Sequence, residues 1–265
     1  MGILNVTPDS FSDGGKFNRL NLAVKHIQTM LEHGADIIDI GGESTKPGSD
    51  PVLADEELNR VIPIVSEIKK ISNDILISVD TYKSIVAKEA IEAGADIIND
   101  ISGLAHDKEM ASLLAKNDTP VIIMHIQGKP KTMQQNISYN DLIDDIKKYF
   151  EKRCDYAIKS GIKKNNIILD PGIGFGKTFN HNFKLLKNLK EFKDMAYPLL
   201  IGPSRKAFIG DVLNLPPDER VEGTIATVVS GILNGANIVR VHDVKENKRA
   251  VIITENILAA KWLTC

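Results

Sequence analysis

The chain has 265 residues, 43% hydrophobic and 26% charged, with a formal net charge of −2; this is the make-up of an ordinary globular protein, with no basic excess for nucleic acid and no acidic tail. Two cysteines, Cys154 and Cys265, exclude a disulfide framework and make a reducing cytoplasm the expected location. No apolar run approaches the ~20 residues of a membrane span.

In chain order the first strand is expected at 2–6, almost at the start, where there is no room for a signal-peptide core. An upstream segment is therefore left open. A helical pattern follows at 20–33, then a strand at 36–41, a helix at 55–72 and a strand at 75–80. The alternation continues with a helix at 84–93, strand 96–100, helix 107–117, strand 121–125 and helix 139–160. It ends with strand 167–170, helix 181–192, strand 199–202, helix 221–234, strand 238–242 and helix 245–262. A repeat supports this reading: Gly34-Ala35-Asp36-Ile37-Ile38-Asp39 returns as Gly94-Ala95-Asp96-Ile97-Ile98-Asn99 and as Gly235-Ala236-Asn237-Ile238-Val239-Arg240. In each copy the glycine suits a helix C-terminus. The apolar run behind it suits a strand buried on both faces of a parallel sheet. Eight strict alternations predict an α/β fold, a (β/α)8 TIM barrel with eight parallel strands and outer helices, as one domain over 1–265. An open doubly wound sheet is the alternative.

Barrel chemistry gathers at the C-terminal ends of the strands, and those ends are polar here. They carry Asn5, Glu43-Ser44-Thr45, Asp80, Asn99 and Asp100, His125, Asp170, Ser204-Arg205-Lys206, and Arg240 with His242. Any one of these could simply close a loop. As a set, Asp80, Asp170, Lys206 and Arg240 would converge on one mouth, because buried charges are costly unless paired or used. Such a mouth suits a polar, partly anionic ligand; a ring of structural salt bridges is the competing reading. The run Asp170-Pro171-Gly172-Ile173-Gly174-Phe175-Gly176-Lys177 has neither Walker A nor Rossmann spacing. Its informative residue is the aspartate at the strand end. Gly202-Pro203-Ser204-Arg205-Lys206 falls where barrels often bind phosphate.

At these residues the chain resembles dihydropteroate synthases of the pterin-binding enzymes. The long blocks are 3–15, Ile-Leu-Asn-Val-Thr-Pro-Asp-Ser-Phe-Ser-Asp-Gly-Gly, and 39–48, Asp-Ile-Gly-Gly-Glu-Ser-Thr-Lys-Pro-Gly. Shorter matches are Ser78-Val79-Asp80-Thr81, Ile98-Asn99-Asp100, Met124-His125, Asp170-Pro171-Gly172, Ser204-Arg205-Lys206 and Arg240-Val241-His242-Asp243. They follow the family order across nearly the whole chain. Lys46 departs from the family's usual Arg, keeping the charge but losing the planar fork.

The resemblance implies a transferase of folate biosynthesis that joins 6-hydroxymethyl-7,8-dihydropterin pyrophosphate to p-aminobenzoate. Asp170 is then expected to accept the paired N–H groups of the pterin, as a carboxylate accepts an Arg fork. Asp80, Asn99 and Lys206 complete the pterin set. Asn5, Arg240 and His242 are expected at the diphosphate, with one Mg²⁺ on Asn5, since magnesium needs few protein ligands. Thr45, Lys46, Pro47, Phe175 and Ser204 form the expected aminobenzoate pocket, and with it a sulfonamide target. Asp9, Phe11 and Asp13 belong to the first loop over the diphosphate. Lys206, Arg240, His242 and Asp80 are the expected catalytic set for an SN1-like displacement. His125 reads as a supporting residue and Cys154 as an apolar filler. A homodimer through 221–234 and 245–262 is implied. The rival readings are a pterin-binding methyltransferase, a sugar-phosphate barrel enzyme and a non-catalytic binding protein.

Overall fold

The computed structural model describes residues 1–7, 16–72 and 74–260. Asp9, Phe11, Asp13, Trp262 and Cys265 lie outside the described residues. The elements are β1 (Gly2–Asn5), α1 (Lys16–Glu32), β2 (Ile37–Gly41), α2 (Ala54–Ile71), β3 (Leu76–Asp80), α3 (Ser84–Glu92), β4 (Ile97–Asp100) and α4 (Met110–Asn117). They continue with β5 (Val121–Met124), α5 (Leu142–Lys159), β6 (Ile167–Asp170), α6 (Phe179–Lys187), β7 (Leu200–Ile201), α7 (Ala207–Leu213), α8 (Val221–Leu233), β8 (Ile238–Val239) and α9 (Val244–Ala259).

Strands β1 to β6 pair in parallel in chain order, and β7 pairs with β8. Single bridges from Leu169 to Leu199 and from Gly2 to Val241 join the two pieces at both edges. The Ile3 N–H donates to the Val241 carbonyl and the Val241 N–H to the Met1 carbonyl, both at 3.0 Å. The ring therefore closes, and the fold is the (β/α)8 barrel expected from the alternation.

The two-residue period of a strand sorts side chains into and out of this barrel. Outward residues such as Ile38, Ile40, Ile77, Val79, Ile98, Ile123 and Leu169 meet the apolar faces of the surrounding helices in one large core. Inward, Met1, Ile37, Ile97, Ile122 and Leu200, with Ile168 and Ile238 against them, form a separate apolar plug. Two residues further along their strands stand Asp39, Asn99, Asp170 and Arg240. The interior thus changes from apolar to polar toward the mouth.

The repeated glycines end α1, α3 and α8 with φ of +86°, +111° and +105°. After each, the next N–H reaches back to a helix carbonyl: Ala35 to Met30 at 2.9 Å, Ala95 to Ala90 at 2.8 Å and Ala236 to Gly231 at 2.9 Å. That is the Schellman closure, and it turns the chain directly into a strand. Gly161 (φ +97°) closes α5 in the same way without the Ala-Asp that follows in the repeat.

The reading of one helix between the last two strands is incomplete. α7 precedes α8, separated by a 3₁₀ turn at Pro217–Glu219. α7 is short and closes on Asn214 in the left-handed region, so it shows too few turns for a periodic signal. The pattern at 181–192 also splits, into α6 and a 3₁₀ stretch at Leu189–Met195. Among the described residues no helix is long and apolar enough to cross a membrane.

Gly94→Ala places a Cβ in a backbone conformation that costs an L-residue about 1–2 kcal/mol. Urea unfolding is expected to show a loss of that size; an unchanged midpoint would remove the closure from the account of why strand follows helix here.

Candidate active site

A cavity of about 880 Å³ opens at the C-terminal end of the barrel. Asn5, Thr45, Lys46, Pro47, Ser204, Lys206, Arg240 and His242 all line it. The site residues expected from the first, second, seventh and eighth strand ends are therefore brought together. Asp80, Asn99 and Asp170 are buried below this wall.

Arg240 ties the floor to the wall. Its Nε donates to Asp39 Oδ2 at 2.5 Å and its Nη2 to Asp80 Oδ2 at 3.0 Å. Asn99 Nδ2 approaches the same Asp39 oxygen at 3.4 Å. Asp39 is wholly buried. Its Oδ1 and Asn99 Oδ1 have no hydrogen-bond partner, so the floor keeps polar capacity that the described residues do not fill. Burial raises Asp80 to about 7, opposed by Arg240 and reinforced by Asp39. A shared guanidinium thus holds two carboxylates that repel each other.

Asp170, at the end of β6, accepts the Gly172 N–H through Oδ1 at 2.7 Å. Burial pushes its carboxyl up to about 6, against the pull of that N–H and then of Lys177, Lys206 and Arg240. Lys206 lies with its Nζ 4.1 Å from the centre of the Phe175 ring. Its own value falls to about 8 through burial and the nearby Arg240, with Asp170 and Asp80 opposing. Lys206, Asp170 and Asp80 therefore share one electrostatic environment. Phe175 packs into a small cluster with Ile101, Met124 and Met133; it presents Lys206 toward the mouth.

His242 is held against Ser204: its backbone N–H donates to Ser204 Oγ at 3.1 Å, and its ring Nδ1 shares a hydrogen bond with the same oxygen at 2.9 Å. Burial, then Arg240 and Arg205, lower the ring to about 4. The Ser204-Arg205-Lys206 motif divides its labour. Ser204 and Lys206 line the cavity. Arg205 holds a left-handed backbone (φ +57°) and forks onto Asp243 instead. Thr224 accepts its N–H at 3.1 Å and Arg220 donates to its carbonyl at 3.0 Å. These contacts hold a strained residue whose bend aims its two neighbours.

The β2–α2 loop is anchored from beneath. Glu43 accepts from the Tyr82 hydroxyl at 2.5 Å, from the Val52 N–H at 3.1 Å and from Lys83, which also pairs with Glu57. Both ends of the segment carrying Thr45, Lys46 and Pro47 are thereby fixed. Asp100 serves its own loop, accepting the Ser102 and Leu104 N–H groups at 2.7 and 3.0 Å. Asn5 stands exposed at the end of β1. Opposite it, Gly41 leaves open the space between the Asn5 amide and Asp80. Among the described residues no group of three His, Cys, Asp or Glu side chains could hold a metal. An ion here would need ligand oxygens beside a single protein donor, a set that suits magnesium and phosphate.

A family model described as pterin binding enzyme matches residues 1–242. The chain belongs to the pterin-binding enzyme family. Within it, a dihydropteroate synthase of Clostridium beijerinckii is 52% identical over 259 residues, 97% of this chain and 93% of the relative. The structure of a Yersinia pestis dihydropteroate synthase with a sulfonamide drug complex matches with a TM-score of 0.93 at 48% identity, covering 98% of this chain and 94% of that one. A Clostridium difficile dihydropteroate synthase in the presence of pteroic acid matches with a TM-score of 0.92 at 52% identity, over 97% and 95%.

Two residues of this site are not legible as such in the sequence. Asp39 was hidden within an apolar strand run, although its place two residues before Gly41 marks it as inward. Lys177 closes the Gly-rich loop and borders the cavity. Its position in an irregular loop gives no periodicity to read.

Arg240→Met leaves Asp39 and Asp80 without their shared cation, and a loss of about 3 kcal/mol in urea unfolding is expected. Adding Asp39→Asn should restore part of it, so that the double variant loses less than the sum of the singles. Strict additivity would mean that the ion pair does not organise the floor.

Proposed function

We propose that this barrel condenses 6-hydroxymethyl-7,8-dihydropterin pyrophosphate with p-aminobenzoate, giving 7,8-dihydropteroate and pyrophosphate, a transferase step of folate biosynthesis. The observation that carries the reading is the mouth itself: two buried carboxylates with raised values beneath a cavity walled by Lys206, Arg240 and His242. Dihydropteroate synthases about half identical over nearly the full chain support the same activity. They also favour it over the methyltransferase reading. The proposed unit is a single pterin-binding domain over 1–265.

In this reading Asp170 accepts the amino and ring N–H groups of the pterin, while Asp80 and Asn99 meet its remaining polar edge. Lys206 donates to the carbonyl side. Arg240 and the His242 ring face the diphosphate. One Mg²⁺ on Asn5 and the phosphate oxygens would neutralise charge on the leaving group. The methylene C–O bond breaks and its electron pair leaves with pyrophosphate. The arylamine lone pair then forms the new C–N bond, and an amine proton passes to water. The residues act by position and charge, with no covalent enzyme intermediate. Thr45, Lys46, Pro47, Phe175 and Ser204 are the proposed aminobenzoate set. Lys46 offers the aminobenzoate carboxylate a point charge in place of a fork, and sulfonamides would compete there.

A homodimer is proposed through the last helices, where Leu233 on α8 and Ile253, Ile257 and Leu258 on α9 are exposed. Such an apolar face suits burial against a second copy. A reducing cytoplasm suits Cys154, which is buried and unpaired.

Pyrophosphate release should require both substrates and Mg²⁺ and stop on chelation; release without the arylamine at a comparable rate would exclude the condensation. Asp170→Asn is expected to weaken pterin binding by about tenfold or more, from one lost charged acceptor. The carboxylate is ionised above its raised value and protonated below it. Pterin affinity should therefore fall as pH drops through about 6, and a flat titration by calorimetry would remove Asp170 from the pterin edge.

A further inference from the structure

The β2–α2 loop, residues 42–53, carries Thr45, Lys46 and Pro47 to the mouth, yet the ties that hold it are set back from the cavity wall. Glu43 is buried and does not line the cavity. Its Oε2 accepts the Val52 N–H at 3.1 Å, nine residues on, and so closes the loop across its stem. Its Oε1 accepts the Tyr82 hydroxyl at 2.5 Å. Lys83 donates to Glu43 Oε2 at 2.5 Å and also to Glu57, in the first turn of α2. One ammonium therefore joins the start of the loop to the helix after it. Arg60 on α2 adds a further tie, donating to the Gly42 carbonyl at 2.7 Å. Gly42 permits this approach: a Cβ there would stand 2.7 Å from the Val61 side chain and 2.9 Å from that of Glu57.

The donors are themselves fixed. Tyr82 and Lys83 follow directly on β3, where the Thr81 N–H donates to the Asn99 carbonyl at 3.1 Å and the Ser84 N–H to Asp107 at 2.8 Å. The Lys83 ammonium lies 4.6 Å from the centre of the Tyr82 ring, and His106 meets that ring edge-on at 4.5 Å. The tip of the loop is held less firmly. The Gly48 N–H reaches the Pro130 carbonyl at 3.3 Å, and Lys131 pairs with Asp50 at 2.6 Å where both side chains are exposed. An exposed pair of that kind contributes little. The buried, charge-assisted bonds at the stem decide where the tip sits.

We propose that Glu43 is a positioning residue for the aminobenzoate subsite: by closing the stem of the β2–α2 loop it holds Thr45, Lys46 and Pro47 in place before the arylamine arrives. The inference rests on the assignment of those three residues to the aminobenzoate. It goes further in making arylamine affinity depend on a carboxylate set back from the ligand. Ordering the segment then occurs when the chain folds and no longer weakens binding. The pterin residues Asp80, Asn99 and Asp170 stand on strands and keep their places without the loop.

The test compares wild type with Glu43→Ala, Glu43→Gln and Lys46→Ala. Pyrophosphate release gives kcat and the KM for p-aminobenzoate, and calorimetry with 6-hydroxymethylpterin gives pterin affinity. Glu43→Ala loosens the stem while Lys83 keeps Glu57. Its KM for p-aminobenzoate should rise about tenfold, with pterin affinity within about twofold of wild type. In Glu43→Gln the amide oxygen can take the Val52 N–H and the amide N–H can donate to the Tyr82 oxygen, so KM should return to within about threefold of wild type. A carboxylate that served stability alone would lower the active fraction, and with it kcat, and leave KM unmoved. That result overturns the proposal, as does an equal loss of affinity for both substrates. If Glu43→Ala does not fold, Glu43→Asp decides. It keeps the charge beside Lys83 but falls one methylene short of Val52, so its KM should rise severalfold; an unmoved KM overturns the proposal. Lys46→Ala separates the inference from the reading beneath it. If Lys46→Ala leaves the KM for p-aminobenzoate unmoved, the aminobenzoate does not lie at this loop, and the inference falls with that reading. If Lys46→Ala raises KM and Glu43→Ala does not, the inference alone falls.

Discussion

The guanidinium of Arg240, held between Asp39 and Asp80 inside the barrel, is the interaction on which the rest of the site depends. Three charges withdrawn from water would be unstable singly. Together they are tolerable because one planar fork serves two carboxylates from two other strands. The arrangement spans β8, β2 and β3, and so needs the barrel closed. Closure in turn rests on the short contacts between the Met1–Ile3 segment and Val239–Val241. Fold and site therefore share a requirement: without the β1–β8 seam, the cation that organises the floor would not be across from its partners.

Much of this was legible in the sequence, for a definite reason. Strands buried on both faces leave uninterrupted β-branched runs, and the glycine closures mark where each run begins. The polar ends then stood out as exceptions. The inward set is legible in more detail still: Ile37, Ile97, Ile168 and Ile238 each precede an inward polar residue by two positions. That same period separates Asn99, which points to the floor, from its neighbour Asp100, which turns outward to its own loop. Listing strand-end polar residues without that parity merged site with scaffold.

What sequence patterns did not carry was function held in contacts between loops. Arg205 and Lys206 are adjacent and both basic, yet one clamps Asp243 and the other borders the cavity. Their roles diverge because Arg205 adopts a left-handed backbone, which no periodicity reveals. Glu43 looked like a mouth residue and proved to be the underpinning of the second loop, through Tyr82 and Lys83. Lys177 lies in a Gly-rich run in which the aspartate alone is legible as a strand-end residue. In each case the deciding partner is remote in the chain.

The apolar plug formed by Met1, Ile37, Ile97, Ile122 and Leu200 has a consequence of its own. It stoppers the barrel at the far end, so among the described residues the polar tier faces solvent at the mouth. A flat ligand seated there would cap that route. Hydrogen ions on the buried acids and bases beneath would then exchange slowly, and the ionisation pattern that the ligand meets on arrival would be locked in until it leaves. Acidity would accordingly act on admission to the chamber more than on events within it.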